Sequence, residues 1–129
     1  MTDRAAGFHV SRASDASWTA DDGDSAFVSR DLGLEVATGG RFAADVSRAT
    51  GHGALEELHS HLLDFQIVYV LEGTATFWYE GEGEVTFARG DFVHQPPGIA
   101  HRVITVSPDC ELLQVTAPAD YETVATDAS

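Results

Sequence analysis

Lysine is absent from this chain, and its seven basic residues are all arginine. They face 21 Asp and Glu, which gives a formal net charge of −14. Nucleic-acid binding needs basic patches to neutralise phosphate, so that class is set aside. Docking on anionic lipid is excluded on the same ground. The acidic balance reads as a solubilising surface, of the kind suited to a salty or high-GC bacterial setting, rather than as a sign of a particular partner. Cysteine is nearly missing as well. With Cys110 alone, no intrachain disulfide and no thiolate zinc site can form, and a reducing cytoplasm is the expected compartment. Residues Met1 to Trp18 carry Asp3, Arg4, Arg12 and Asp15 without an apolar central run, so no signal peptide is expected. The longest clearly apolar run, Ile67 to Leu71, is far too short to span a membrane. No long amphipathic helical pattern appears, and no serine or cysteine stands in a nucleophile motif.

The 129 residues fit a single domain, and 43% hydrophobic content is enough for one ordinary core. Residues 1–24 are rich in Ala, Ser and Asp without a clear period and read as a loose N-terminal arm. Asp21, Asp22 and Asp24 lack the glutamate and spacing of a calcium loop, so a solvated turn is expected there. From Ser25 to Pro118 short β-type runs alternate with Gly and Pro. The expected strands begin with one around Phe27 to Leu34, then Arg41–Arg48, Leu55–Leu62, Gln66–Leu71 and Thr74–Tyr79. Glu84–Ala88, Phe92–Gln95, His101–Val106 and Glu111–Thr116 complete them. Residues 119–129 read as a frayed tail. Such a series means an all-β sandwich or barrel.

Histidines carry the chemistry. His59 and His61 are two apart, so on a strand both imidazoles project from one face and can converge on one ion. Gly53 precedes His59 by six residues, Gln66 follows His61 by five, and Gly73 follows Gln66 by seven. Gly90, Pro96, Gly98 and His101 form a second spaced set. In these two stretches the chain resembles the cupin superfamily. The first cupin motif runs Gly, His-x-His, Glu, Gly, with Gln66 here in the glutamate place. The second runs Gly, Pro-x-Gly, His, Asn, with Thr105 here in the asparagine place.

The resemblance covers Gly53 to Thr105 and implies a double-stranded β-helix, a jelly-roll barrel holding one divalent transition metal: zinc, iron, nickel or manganese. By position His59, His61, Gln66 and His101 look like its ligands. The glutamine leaves the bound ion at net +2, where a glutamate would leave +1. Metal affinity should therefore be lower, bound water more acidic and the ferric state disfavoured. Gln66 can also stand aside, leaving a three-histidine face with open positions.

Of His94 and Gln95, adjacent on one strand, one faces the interior and the other faces away. His94 and Tyr79 are the candidates to move protons. His52, in a glycine turn, is expected to be exposed, and His9, in the loose arm, to be inert. Val68 and Val70 share a face with Gln66, and Phe77 is expected inside, giving an apolar lining that suits a small hydrophobic or aromatic substrate. The implied activity is that of a metal-dependent enzyme on a small organic molecule: a dioxygenase, cyclase or isomerase. The glutamine in the glutamate place and the small size also make the chain similar to the metal-dependent cyclases of aromatic polyketide pathways. A non-catalytic small-molecule-binding module or sensor is the alternative, and a metal-free epimerase is disfavoured by the intact histidine trio. Small cupins commonly cover an edge with a partner's N-terminal strand, so Phe27 to Leu34 is assigned that part and a homodimer is expected.

Overall fold

Alternation along the chain builds two antiparallel sheets that face each other. The computed structural model describes residues 7–20, 26–51 and 57–126. The larger sheet contains β1 (Thr19–Ala20), β2 (Phe27–Asp31), β3 (Ala43–Ala49), β5 (Phe65–Glu72), β8 (Phe92–His94) and β10 (Glu111–Ala117). Its strand order is β1-β2-β3-β10-β5-β8. The smaller sheet contains β4 (His59–Leu62), β6 (Thr74–Tyr79), β7 (Gly83–Ala88), β9 (His101–Val106) and β11 (Glu122–Ala125), in the order β11-β4-β9-β6-β7. This is the expected jelly roll. Among the described residues, helix is limited to a 3-10 turn at Ala13–Asp15 and one short α turn, α1 (Leu34–Ala37), between β2 and β3.

On β5 every second residue points inward, so Gln66, Val68 and Val70 are buried while their neighbours are not. Val70 is 2% exposed, and burial of such a side chain contributes about 1.5–3 kcal/mol. Opposite, β6 buries Ala75, Phe77 and Tyr79, as its alternation predicts. Phe77 stacks on Tyr79 at 5.9 Å between centroids, and both meet Phe87 of β7 edge to face at 6.0 and 6.3 Å. Ala26, Phe27, Val103, Cys110 and Leu112 complete this apolar cluster.

Two chain ends differ from expectation. Far from fraying after Pro118, the chain forms β11, which pairs with β4 over four residues. The reason is that β4 has only one registered pair on its other side, His59 with His101 of β9. Without β11 its backbone donors and acceptors would form an open edge. The described part of the N-terminal stretch, residues 7–20, is tied down rather than loose. His9 Nε2 lies 2.9 Å from the Leu32 carbonyl oxygen, Arg30 donates to Ser11 Oγ at 2.9 Å, and Arg48 lies 4.0 Å over the Trp18 ring. The strand assigned to a partner's edge, β2, pairs instead with β1 and β3 of its own chain. The turn at Asp21 to Asp24, His52, Gly53 and the start of the Leu55–Leu62 strand lie outside the described residues.

Candidate metal centre

At one end of the barrel the apolar filling gives way to a cavity of about 490 Å³. His59, His61, His101, Gln66, Gln95 and Gln114 contribute to its wall. β4 supplies His59 and His61 by strand alternation, and β9 supplies His101. The three rings lie 4.5 to 4.9 Å apart between centroids. Their ligand atoms all fall within 4.8 Å of one another, so the three histidines could hold one metal ion.

The donor set fits such an ion in its tautomers. His59 Nδ1 lies 2.8 Å from the Glu57 carbonyl oxygen, and His101 Nδ1 lies 3.1 Å from that of Ile99. A carbonyl oxygen only accepts, so both Nδ1 atoms carry the proton and both Nε2 atoms keep a free lone pair. His61 Nδ1 has the Thr123 hydroxyl at 2.9 Å as the corresponding partner. This is the outer-layer arrangement that orients metal-ligating imidazoles. Burial, helped by the charges His101 and His59 would carry, lowers His61 to about 4. Burial lowers His101 to about 4, although its hydrogen bond to the Ile99 carbonyl oxygen acts to raise it. Both are therefore neutral at pH 7, the form a metal requires.

The second histidine segment is held by its turn. Ile99 N donates to Pro96 O at 3.2 Å, and Gly98 N, at φ 79°, donates to His61 O at 3.3 Å. The Pro96–Gly98 turn thus hooks onto β4 and delivers His101 beside His59. Gln66 is 2% exposed, and its Nε2 donates to Gln114 Oε1 at 2.9 Å. Gln95 N donates to Gln66 O at 2.9 Å.

The two proton-carrier candidates sit elsewhere. Of the adjacent pair, Gln95 faces in and is 1% exposed. His94 faces out, exposed, with its ring 6.1 Å from that of Phe65. Tyr79 lies behind the cavity wall, 5.9 Å from the His101 ring, and donates its hydroxyl proton to Gln95 Oε1 at 2.6 Å. Burial pushes the Tyr79 phenol well above its ordinary value. Thr123, Tyr121 and Gln114 were not singled out from sequence. The run Thr123-Val124-Ala125-Thr126 has strand character, and that was the available signal for Thr123. Asp31, Glu35 and Asp45 also line the cavity, and no arginine among the described residues does.

A family model described as a cupin domain matches residues 49–116. Among solved structures, a chain of oxalate decarboxylase superposes with a TM-score of 0.66 at 19% identity, covering 88% of this chain and 31% of that one. The Bacillus subtilis oxalate decarboxylase at pH 4.6 gives 0.66 at 21%, covering 87% and 30%. KdgF from Halomonas sp. gives 0.71 at 19%, covering 84% of this chain and 94% of that one. This chain therefore spans under a third of the oxalate decarboxylase chain and nearly all of KdgF. A search of curated protein sequences found no match.

Proposed function

This chain belongs to the cupin domain family, and we propose that it is a metal-dependent enzyme acting on a small organic molecule. His59, His61 and His101 hold one divalent transition metal (zinc, iron, nickel or manganese), with Gln66 as the fourth donor. The observation that carries this reading is the set of three imidazoles whose Nδ1 atoms are all engaged, leaving three Nε2 atoms at the wall of one cavity. When bound, the ion supplies Lewis acidity or oxygen chemistry. The chain's own residues orient the imidazoles, exclude bulk water with Val68, Phe77, Val103 and Leu112, and offer amide groups from Gln95 and Gln114 to a ligand.

Manganese is supported by the Mn(II) centres of the oxalate decarboxylase neighbours. Oxalate itself is not. A dianion would enter a cavity lined, among the described residues, by three carboxylates and no arginine, in a chain of net charge −14. A larger neutral substrate, oxidised, cyclised or isomerised at its oxygen-bearing end, suits the volume and the mixed amide and apolar wall. The same proposal places the protein in a reducing cytoplasm as a homodimer. Phe65, Tyr69, Leu71 and Phe92, exposed on the outer face of β5 and at β8, offer the apolar surface for it. No helix among the described residues is long and apolar enough to cross a membrane.

Elemental analysis of protein purified without chelator or a histidine tag tests the centre, beside a His59→Ala, His101→Ala variant. Near one equivalent of a transition metal, lost in the variant, supports the reading; iron then ranks oxygenation first and zinc ranks cyclisation or isomerisation first. A wild type that stays metal-free after reconstitution overturns it and leaves the small-molecule-binding module as the better description.

A further inference from the structure

We propose that Gln114 is a positioning residue for the metal: it sets the rotation of the Gln66 amide so that Oε1, and not Nε2, faces the three imidazoles. The inference rests on the metal-binding reading above. Only one end of an amide is a useful donor to a divalent cation. Oε1 carries lone pairs, whereas Nε2 carries two hydrogens whose positive ends would face the ion. The two arrangements differ by a half-turn about the last torsion of the side chain, which is intrinsically broad and roughly two-fold, so glutamine does not choose between them alone. A glutamate at this place needs no such choice, because its two ends are the same. The departure from the family's carboxylate therefore creates a requirement that another residue must meet.

The structure places a residue to meet it. Gln66 Nε2 donates to Gln114 Oε1 at 2.9 Å, which directs the nitrogen end toward β10. Gln66 is 2% exposed, so bulk water does not compete for that nitrogen. On the β5–β10 ladder Gln66 is opposite Thr116 and Gln114 is opposite Val68, which makes the two glutamines diagonal neighbours on the inner face. Both line the cavity that holds His59, His61 and His101. On its other side Gln114 is registered directly opposite Asp45 of β3, which lines the same cavity. A carboxylate presents only acceptors. It therefore favours the Gln114 rotation with Nε2 toward β3 and Oε1 toward Gln66. Asp45 on one side and the Gln66 nitrogen on the other thus favour the same Gln114 rotation, which leaves the Gln66 oxygen free to face the imidazoles.

The test titrates chelator-treated protein with cobalt(II). Calorimetry reads the affinity and the visible ligand-field spectrum reads the coordination. Gln114→Leu removes the acceptor at similar volume. Gln114→Asn keeps the polarity of the face but draws the acceptor back by one methylene, and it serves should the leucine variant fail to fold. Gln114→Glu keeps an acceptor at the same reach. Loss of an outer-layer partner typically weakens metal binding about 10- to 100-fold. The expected result is a loss of that size in the leucine and asparagine variants, a spectrum in both that matches Gln66→Leu, and near wild-type behaviour in Gln114→Glu. Wild-type affinity and spectrum in the leucine and asparagine variants overturn the proposal, as does a glutamate variant as weak as the leucine one. Wild-type binding by Gln66→Leu also overturns it while leaving the three-histidine centre intact. A wild type that binds no cobalt overturns this proposal and the metal reading together.

Discussion

Acidifying the metal-free protein should destabilise it through the same histidines that await a metal. His61 and His101 titrate near 6.5 when the chain is unfolded and are lowered to about 4 when it is folded. Burial is the larger cause in each. Between pH 4 and 6.5 the unfolded chain therefore binds protons that the folded chain refuses. Stability is fully present above 6.5 and is lost as pH falls through that window toward 4. At 1.36 kcal/mol per pH unit, His101, which is 4% exposed, contributes roughly 3 kcal/mol. His61 is only partly buried, and screening reduces its share to about half of that. The pair then accounts for on the order of 4–5 kcal/mol, a large part of the 5–15 kcal/mol typical of a whole domain.

The chain also carries 21 Asp and Glu, so the raw pH dependence of the wild type does not isolate the histidines. A His61→Gln, His101→Gln variant does, because it keeps every carboxylate. Urea denaturation of chelator-treated protein at pH 4.5, 5.5, 6.5 and 7.5, followed by tryptophan fluorescence, measures both. The stability difference between wild type and variant should move against the wild type by several kcal/mol on acidification. Parallel curves would refute the burial of neutral imidazoles as described.

Three further outcomes follow from single contacts. Gly73→Ala should cost about 2–4 kcal/mol, read as a fall in thermal midpoint. Gly73 has φ 73°, and a Cβ there would meet Ser107 Oγ and lie 2.9 Å from Cys110 Cα. Thr123→Val keeps β11 in shape but removes the partner of His61 Nδ1, so zinc affinity should drop about 10-fold in a chelator-competition titration. Tyr79→Phe leaves Gln95 Oε1 without its donor in the interior and should cost about 1–3 kcal/mol in urea, with zinc affinity unchanged because Tyr79 does not line the cavity.

The barrel was legible because strand alternation is a local signal. Gln66, Val68 and Val70 alternate with more exposed residues, and Thr74–Tyr79 and His101–Val106 begin and end where pattern and punctuation placed them. The motif glycines were legible for a physical reason: Gly73, Gly90 and Gly98 all sit at positive φ. The short helix α1 was missed because four residues are too few to show a helical period. β11 was missed because Pro118 and the small polar residues after it read as an ending. What makes that segment a strand is the open side of β4, which lies more than 50 residues earlier in the chain. The choice between His94 and Gln95 was undecidable from spacing, since alternation says that one points inward but not which.

The residues of the centre lie on different sheets, and that has a thermodynamic consequence. His59 and His61 come from β4 and His101 from β9, all in the smaller sheet, whereas Gln66 and Gln114 come from β5 and β10 in the larger one. In an unfolded chain only the His59–His61 pair remains close, and two imidazoles alone make a weak chelate. The remaining donors converge only when the barrel closes and β11 pins β4 in place. A metal must then bind the folded state far better than the unfolded one, and it adds stability as RT ln(1 + [metal]/Kd), about 2.7 kcal/mol at a hundredfold excess over Kd. The same ion displaces the protons that would otherwise enter at low pH. Because protons compete with the ion for the same imidazoles, the apparent Kd rises on acidification, and the stability added by a fixed free-metal concentration should shrink as pH falls toward 4, where folded His61 and His101 themselves take up protons.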